Sequence, residues 1–164
     1  MATTEQMPAG MIGLGIMGSA MSANMVGAGF TVLGHDVSPD AVRRFAEAGG
    51  QPRSSAAEVA AEAEVVLTCL PSVAALDAVV AEIARSPGRC RILAETSTFP
   101  LDDKERARRA LEQAGVTMLD APLSGSGSQA RVRDVLVYAS GPREAYEACL
   151  PVFKGFSRAP HHVG

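Results

Sequence analysis

Six residues, Gly13-Leu14-Gly15-Ile16-Met17-Gly18, constrain this chain more than any other feature. They separate a short apolar segment, residues 7–12, from a helical stretch over 16–28, in which Met17, Met21 and Met25 recur every four residues on one face. In that context a GxGxxG turn ends a strand and opens a helix. Each glycine meets a different demand. Gly13 permits the tight turn, Gly15 lets backbone approach a diphosphate, and Gly18 lets the helix pack on its strand. Leu14, Ile16 and Met17 fill the same cradle, whose helix-opening amides and dipole favour negative charge.

Strand-like and helix-like segments alternate from there. Phe30-Thr31-Val32-Leu33 reads as a second strand, and Ser38-Pro39 as the cap and first-turn proline of a helix ending near Gly49-Gly50. Ser54-Ser55 caps a helix over 56–63, followed by a strand over 65–70. Pro71 and Ser72 open a helix whose Val73, Leu76, Val80 and Ile83 step by three, four and three. Ser86-Pro87-Gly88 breaks it. A strand at 92–94, a charged helix over 101–114, a strand at 116–121 and a Gly/Ser-rich loop at 124–128 follow. A strand at 135–139 and a helix over 142–153 complete the pattern, with no element assigned to the tail. Such repeated units predict an α/β fold, a Rossmann-type doubly wound, mostly parallel sheet, forming one domain over residues 1–164.

Asp36 ends the second strand, 18 positions beyond Gly18. That is close to the ~20 expected of an acid that accepts hydrogen bonds from an adenosine ribose. Its carboxylate would repel a 2′-phosphate, and Gly34-His35-Asp36-Val37-Ser38 contains no arginine to welcome one. The expected cofactor is therefore NAD, with NADP disfavoured. His35 reads as a strand-end residue near the adenine.

Composition excludes other classes. A net charge of -3 gives no basic footprint for nucleic acid. No apolar run approaches the ~18 residues of a membrane span. Three cysteines, Cys69, Cys90 and Cys149, show no CxxC spacing, which argues against a zinc site or a disulfide framework. Cys69 sits in the apolar run 65–70 as a buried strand residue. Residues 1–6 lack a secretory leader pattern, so the expected location is cytoplasmic. The adjacent His161 and His162 fall in a tail read as frayed, and no metal site is expected.

Four segments together resemble the β-hydroxyacid dehydrogenase family, which includes 3-hydroxyisobutyrate dehydrogenase and is related to 6-phosphogluconate dehydrogenase. They are the glycine turn, Leu70-Pro71, Ser97-Thr98 and Asp120-Ala121-Pro122-Leu123-Ser124-Gly125. The last is the most specific, since the family typically reads Asp-Ala-Pro-Val-Ser-Gly-Gly there. The resemblance implies that Leu70 and Pro71 pass over the nucleotide, that Ala75 touches it, and that Thr98 lies near the nicotinamide. It also implies that Ser124 and Gly125 donate to a substrate carboxylate. A plain structural alternative for Thr98 is a helix cap ahead of Pro100.

Two departures qualify the likeness. Ser126 replaces the family's second glycine, which puts the substrate class in question. The family's catalytic lysine follows a Gly-x-Gly turn downstream of residue 164. Neither Lys104, in the charged helix, nor Lys154 matches that motif, so no catalytic residue is assigned. The resemblance further implies a helical second domain, a homo-oligomer in the full-length protein, and a small hydroxy acid as substrate. A stand-alone NAD-binding or sensing module, and the cofactor domain of an imine reductase, are the alternatives.

Overall fold

The computed structural model describes residues 7–164; the reading of residues 1–6 lies outside them. The first half runs β1 (Ala9–Ile12), α1 (Ile16–Gly27), β2 (Val32–His35), α2 (Pro39–Glu47), β3 (Gln51–Pro52), α3 (Ala56–Glu62) and β4 (Val65–Thr68). The second runs α4 (Val73–Arg85), β5 (Ile92–Glu95), α5 (Leu101–Gln113), β6 (Thr117–Asp120), β7 (Leu123–Ser124), α6 (Gly127–Arg131), β8 (Leu136–Ala139), α7 (Arg143–Phe156) and β9 (Ala159–His162). Six parallel strands form one sheet in the order β3-β2-β1-β4-β5-β6. That is the doubly wound order whose direction reverses between β1 and β4. The small second sheet, β7-β8-β9, contains an antiparallel pair, β7 with β8. The expected fold class holds.

Local chemistry accounts for the helix starts. The hydroxyls of Ser38, Ser55 and Ser72 accept from the amides of Ala41, Glu58 and Ala75 in turn, each satisfying one donor that the first helical turn leaves unpaired. The helices then cover both sheet faces. On one, Met21 and Met25 of α1 pack with Phe153 and Phe156 of α7. On the other, Val59, Leu76, Val80, Ile83 and Leu111 from α3, α4 and α5 close over Ile12, Val66 and Leu93. The four-residue methionine spacing and the 76/80/83 stripe thus mark real core faces.

Four readings need correction. Cys69 is half-buried and follows β4 rather than lying buried within it. The stretch 124–128 is not all loop: it contributes to β7, and Ser126 starts α6 with a reciprocal capping box shared with Gln129. The tail is not frayed, because β9 pairs parallel with β8. There a ring nitrogen of His162 bonds the Gly141 carbonyl at 2.8 Å, and its ring lies 5.1 Å from that of Tyr146. The two-residue β3 went unread. The three missed strands, β3, β7 and β9, carry little apolar pattern and take their identity from a neighbouring strand.

All three cysteines are free. Burial pushes the thiols of Cys90 and Cys149 up to about 12, and desolvation likewise raises that of Cys69. At pH 8 a thiol titrating near 12 is thiolate in only about one molecule in ten thousand. Ellman's reagent should therefore modify Cys90 and Cys149 of the native chain no faster than the chain unfolds. Rapid labelling of either at pH 8 would show that the structure around it opens freely. Among the described residues no helix is long and apolar enough to cross a membrane.

Candidate functional site

At the carboxyl end of β1, two glycines of the turn are fixed by contacts within the protein. Gly13 has φ +94°, and a Cβ there would lie 2.0 Å from the Cys69 carbonyl oxygen. A Cβ on Gly18 would lie 1.9 Å from the Gly13 carbonyl oxygen. Gly15 differs. Its φ of -72° suits any residue, and a Cβ on it would meet nothing within 4 Å. Neither backbone conformation nor packing in the fold requires that glycine, which borders open space before α1. No side chain caps α1 and no acid sits in its first turn, so the amides of that turn face the space without a side-chain partner.

Asp36 closes one side of the turn. One carboxylate oxygen accepts from the Leu14 amide at 2.7 Å and the other from the Ser38 amide at 2.8 Å. Both oxygens retain a lone pair for another donor. Beside it lies a cavity of about 200 Å³ lined by Gly13, Asp36, Leu70, Pro71 and Ala75, together with His35. No arginine lines it. The nearby Arg53 turns its guanidinium to Glu62 at 2.8 and 3.1 Å, while its carbonyl meets the His35 ring.

The sequence reading missed part of this cavity. Val37, 94% exposed, lines it, as do Ala78, Val79 and Glu82. A signal was present: residues 75, 78, 79 and 82 form a second stripe at helical spacing on α4, beside the core stripe.

The remaining expected residues lie at the ends of other strands. Thr98 follows β5, is exposed, and caps nothing, since α5 has no side-chain cap. This removes the capping alternative. Ser124 and Gly125 are exposed at β7. Gly125 has φ +148°, and a Cβ on it would meet Val135 Cγ1 at 2.6 Å, so packing alone demands glycine there. The Ser126 hydroxyl is engaged in capping α6 and in a 3.0 Å contact with the Ser128 hydroxyl.

Between these segments runs a polar network that the sequence did not reveal. Glu95 is 0% exposed, and its carboxylate accepts from the Thr68 hydroxyl at 2.7 Å and from the Ser97 amide. The Ser97 hydroxyl accepts from the Leu70 amide at 2.8 Å. Lys104 is 6% exposed, although its helix is highly charged. Its ammonium donates to the Ser97 carbonyl at 2.6 Å and to the Asp120 carboxylate.

Residues 8–164 match the family described as the NAD binding domain of 6-phosphogluconate dehydrogenase. The chain belongs to that family. As a NAD-binding domain it is similar to L-threonate dehydrogenase of Cupriavidus necator, 34% identical over 160 residues that cover 94% of this chain and 53% of that protein. It is also similar to the solved 3-hydroxyisobutyrate dehydrogenase of Mycobacterium tuberculosis, with a TM-score of 0.90, 30% identity, and coverage of 96% of this chain and 54% of that one. An imine reductase of Streptomyces aurantiacus, 20% identical with a TM-score of 0.87 over 96% of this chain and 55% of that one, shares the fold. The chain thus spans about half the length of the relatives it matches. The resemblance to the β-hydroxyacid dehydrogenases and the expectation of NAD both hold. The open space at Gly15 and the carboxylate at Asp36 fit such a cofactor.

Proposed function

We propose that this chain is the cofactor-binding half of an oxidoreductase that uses NAD on a small 3-hydroxy acid. The observation that carries the reading is Gly15, a glycine that neither backbone strain nor a neighbouring atom requires, placed where a diphosphate would approach. In this reading the amides of residues 13–18 cradle the diphosphate and Asp36 holds the adenosine ribose. Leu70, Pro71 and Ala75 flank the adenosine, and Thr98 faces the nicotinamide. Ser124 and Gly125 offer a hydroxyl and a backbone N–H to the substrate carboxylate, the kind of charge-assisted contact that orients an anion.

When bound, NAD supplies the hydride chemistry. The chain's part is binding and orientation. Neither of its lysines is offered to the substrate hydroxyl: the Lys104 ammonium is held by Ser97 and Asp120, and Lys154 is exposed on α7. We infer that the acid–base group for that hydroxyl, and most side chains that choose the substrate, come from the other half of a longer protein. The 164 residues alone then turn over hydroxy acid negligibly. Free thiols support a cytoplasmic location, and the family resemblance supports a homo-oligomer for the longer protein.

Calorimetric titration with NAD and NADP tests the reading. The chain should prefer NAD by at least about fivefold, since a carboxylate and a phosphate near 4 Å repel by about 1 to 4 kcal/mol depending on solvent screening. Asp36→Ala should bring the two affinities within about threefold, mainly by weakening NAD. Equal affinities that the substitution leaves unchanged would remove the case for NAD, and absence of binding to either would remove the dinucleotide.

A further inference from the structure

None of the roles above uses the buried ammonium of Lys104. Burying an ammonium costs more than burying an apolar side chain of the same length, so filling space is a poor account of it. Its two acceptors belong to separate segments. Ser97 is held at three points: its amide by Glu95, its hydroxyl by the Leu70 amide, and its carbonyl by Lys104. The next residue, Thr98, is exposed. Asp120, the other acceptor, opens the stretch that runs through Pro122 to Ser124. One cation therefore braces the loop after β5 against the segment after β6.

In a sheet of this strand order each half takes one mononucleotide of a dinucleotide. Asp36, following β2, assigns the adenosine to the half built from β1 to β3. The second nucleotide then lies over the ends of β4, β5 and β6, where the Lys104 brace sits. We propose that Lys104 is a positioning residue for that second nucleotide. By fixing Ser97 relative to Asp120 it presents a set surface to the nicotinamide; its ammonium reaches the adenosine side only at second hand, through the Ser97 hydroxyl on the Leu70 amide. This deepens the dinucleotide reading and rests on it.

Titration of the chain with NADH and with ADP-ribose, which lacks the nicotinamide, separates the two halves. The wild-type chain should bind NADH more tightly than ADP-ribose and enhance its fluorescence. In Lys104→Met the NADH affinity should fall about fivefold to tenfold, with ADP-ribose within about twofold and the fluorescence enhancement at saturation reduced. Equal losses for both ligands, or no loss for either, overturn the role. If Lys104→Met does not fold, Asp120→Asn retains the ammonium's bond to Ser97 and repeats the comparison. A smaller loss confined to NADH is expected there, and no selective loss overturns the proposal. Wild-type chain binding ADP-ribose as tightly as NADH also refutes positioning while sparing the dinucleotide. Wild-type chain binding neither refutes the dinucleotide itself.

Discussion

Gly15→Ala should lower the thermal midpoint by no more than about 3 °C, yet weaken NAD binding about a hundredfold, equivalent to about 2.7 kcal/mol. The backbone there already has a φ that alanine adopts, and the added methyl meets no protein atom within 4 Å. The small stability cost comes from a poorer helix cap. The methyl would instead occupy the approach to the α1 amides, where a diphosphate must come within hydrogen-bonding distance. Gly13→Ala should behave oppositely and cost about 3 kcal/mol or more of stability, because it combines a positive φ with a 2.0 Å collision against the Cys69 carbonyl. Differential scanning calorimetry beside titration with NAD reads both. If Gly15→Ala binds like wild type, the space in front of α1 is not the diphosphate site.

Glu95→Ala should cost about 3 kcal/mol and lower the midpoint by about 6 to 12 °C. The 0% exposed carboxylate accepts from the Thr68 hydroxyl and the Ser97 amide. Truncation leaves both donors buried without a partner, each a loss of about 1 to 3 kcal/mol, and opens a void between β4 and β5. Glu95→Gln retains a carbonyl oxygen for one of them and should lose about half as much. Urea unfolding would measure both. A change below about 1 kcal/mol for the alanine variant would mean that water reaches these donors.

What could be read in advance was what short-range chemistry determines. The glycine turn, the methionine stripe of α1 and the caps at Ser38, Ser55 and Ser72 each depend on residues within a few positions of one another. They placed the strand-helix units and, through them, Asp36 and Leu70-Pro71 beside the turn. The failures share a different cause. β9 has no apolar alternation in Ala159-Pro160-His161-His162 and exists because β8 offers it hydrogen bonds. Lys104 looks like one more charge on a solvated helix until Asp120, 16 positions away, and the Ser97 carbonyl are folded against it. The cavity stripe on α4 was within reach. It was overlooked because the neighbouring core stripe already accounted for that helix.

The two backbone bonds to the Asp36 carboxylate make cofactor choice and loop integrity a single problem. A lineage drifting toward the phosphorylated dinucleotide cannot simply swap this acid for a small or basic residue. The Leu14 and Ser38 amides would lose their acceptors together, and the glycine turn would loosen as its charge preference changed. A workable path has to install a neutral acceptor first and a cation afterwards, which makes cofactor preference slow to evolve at this position.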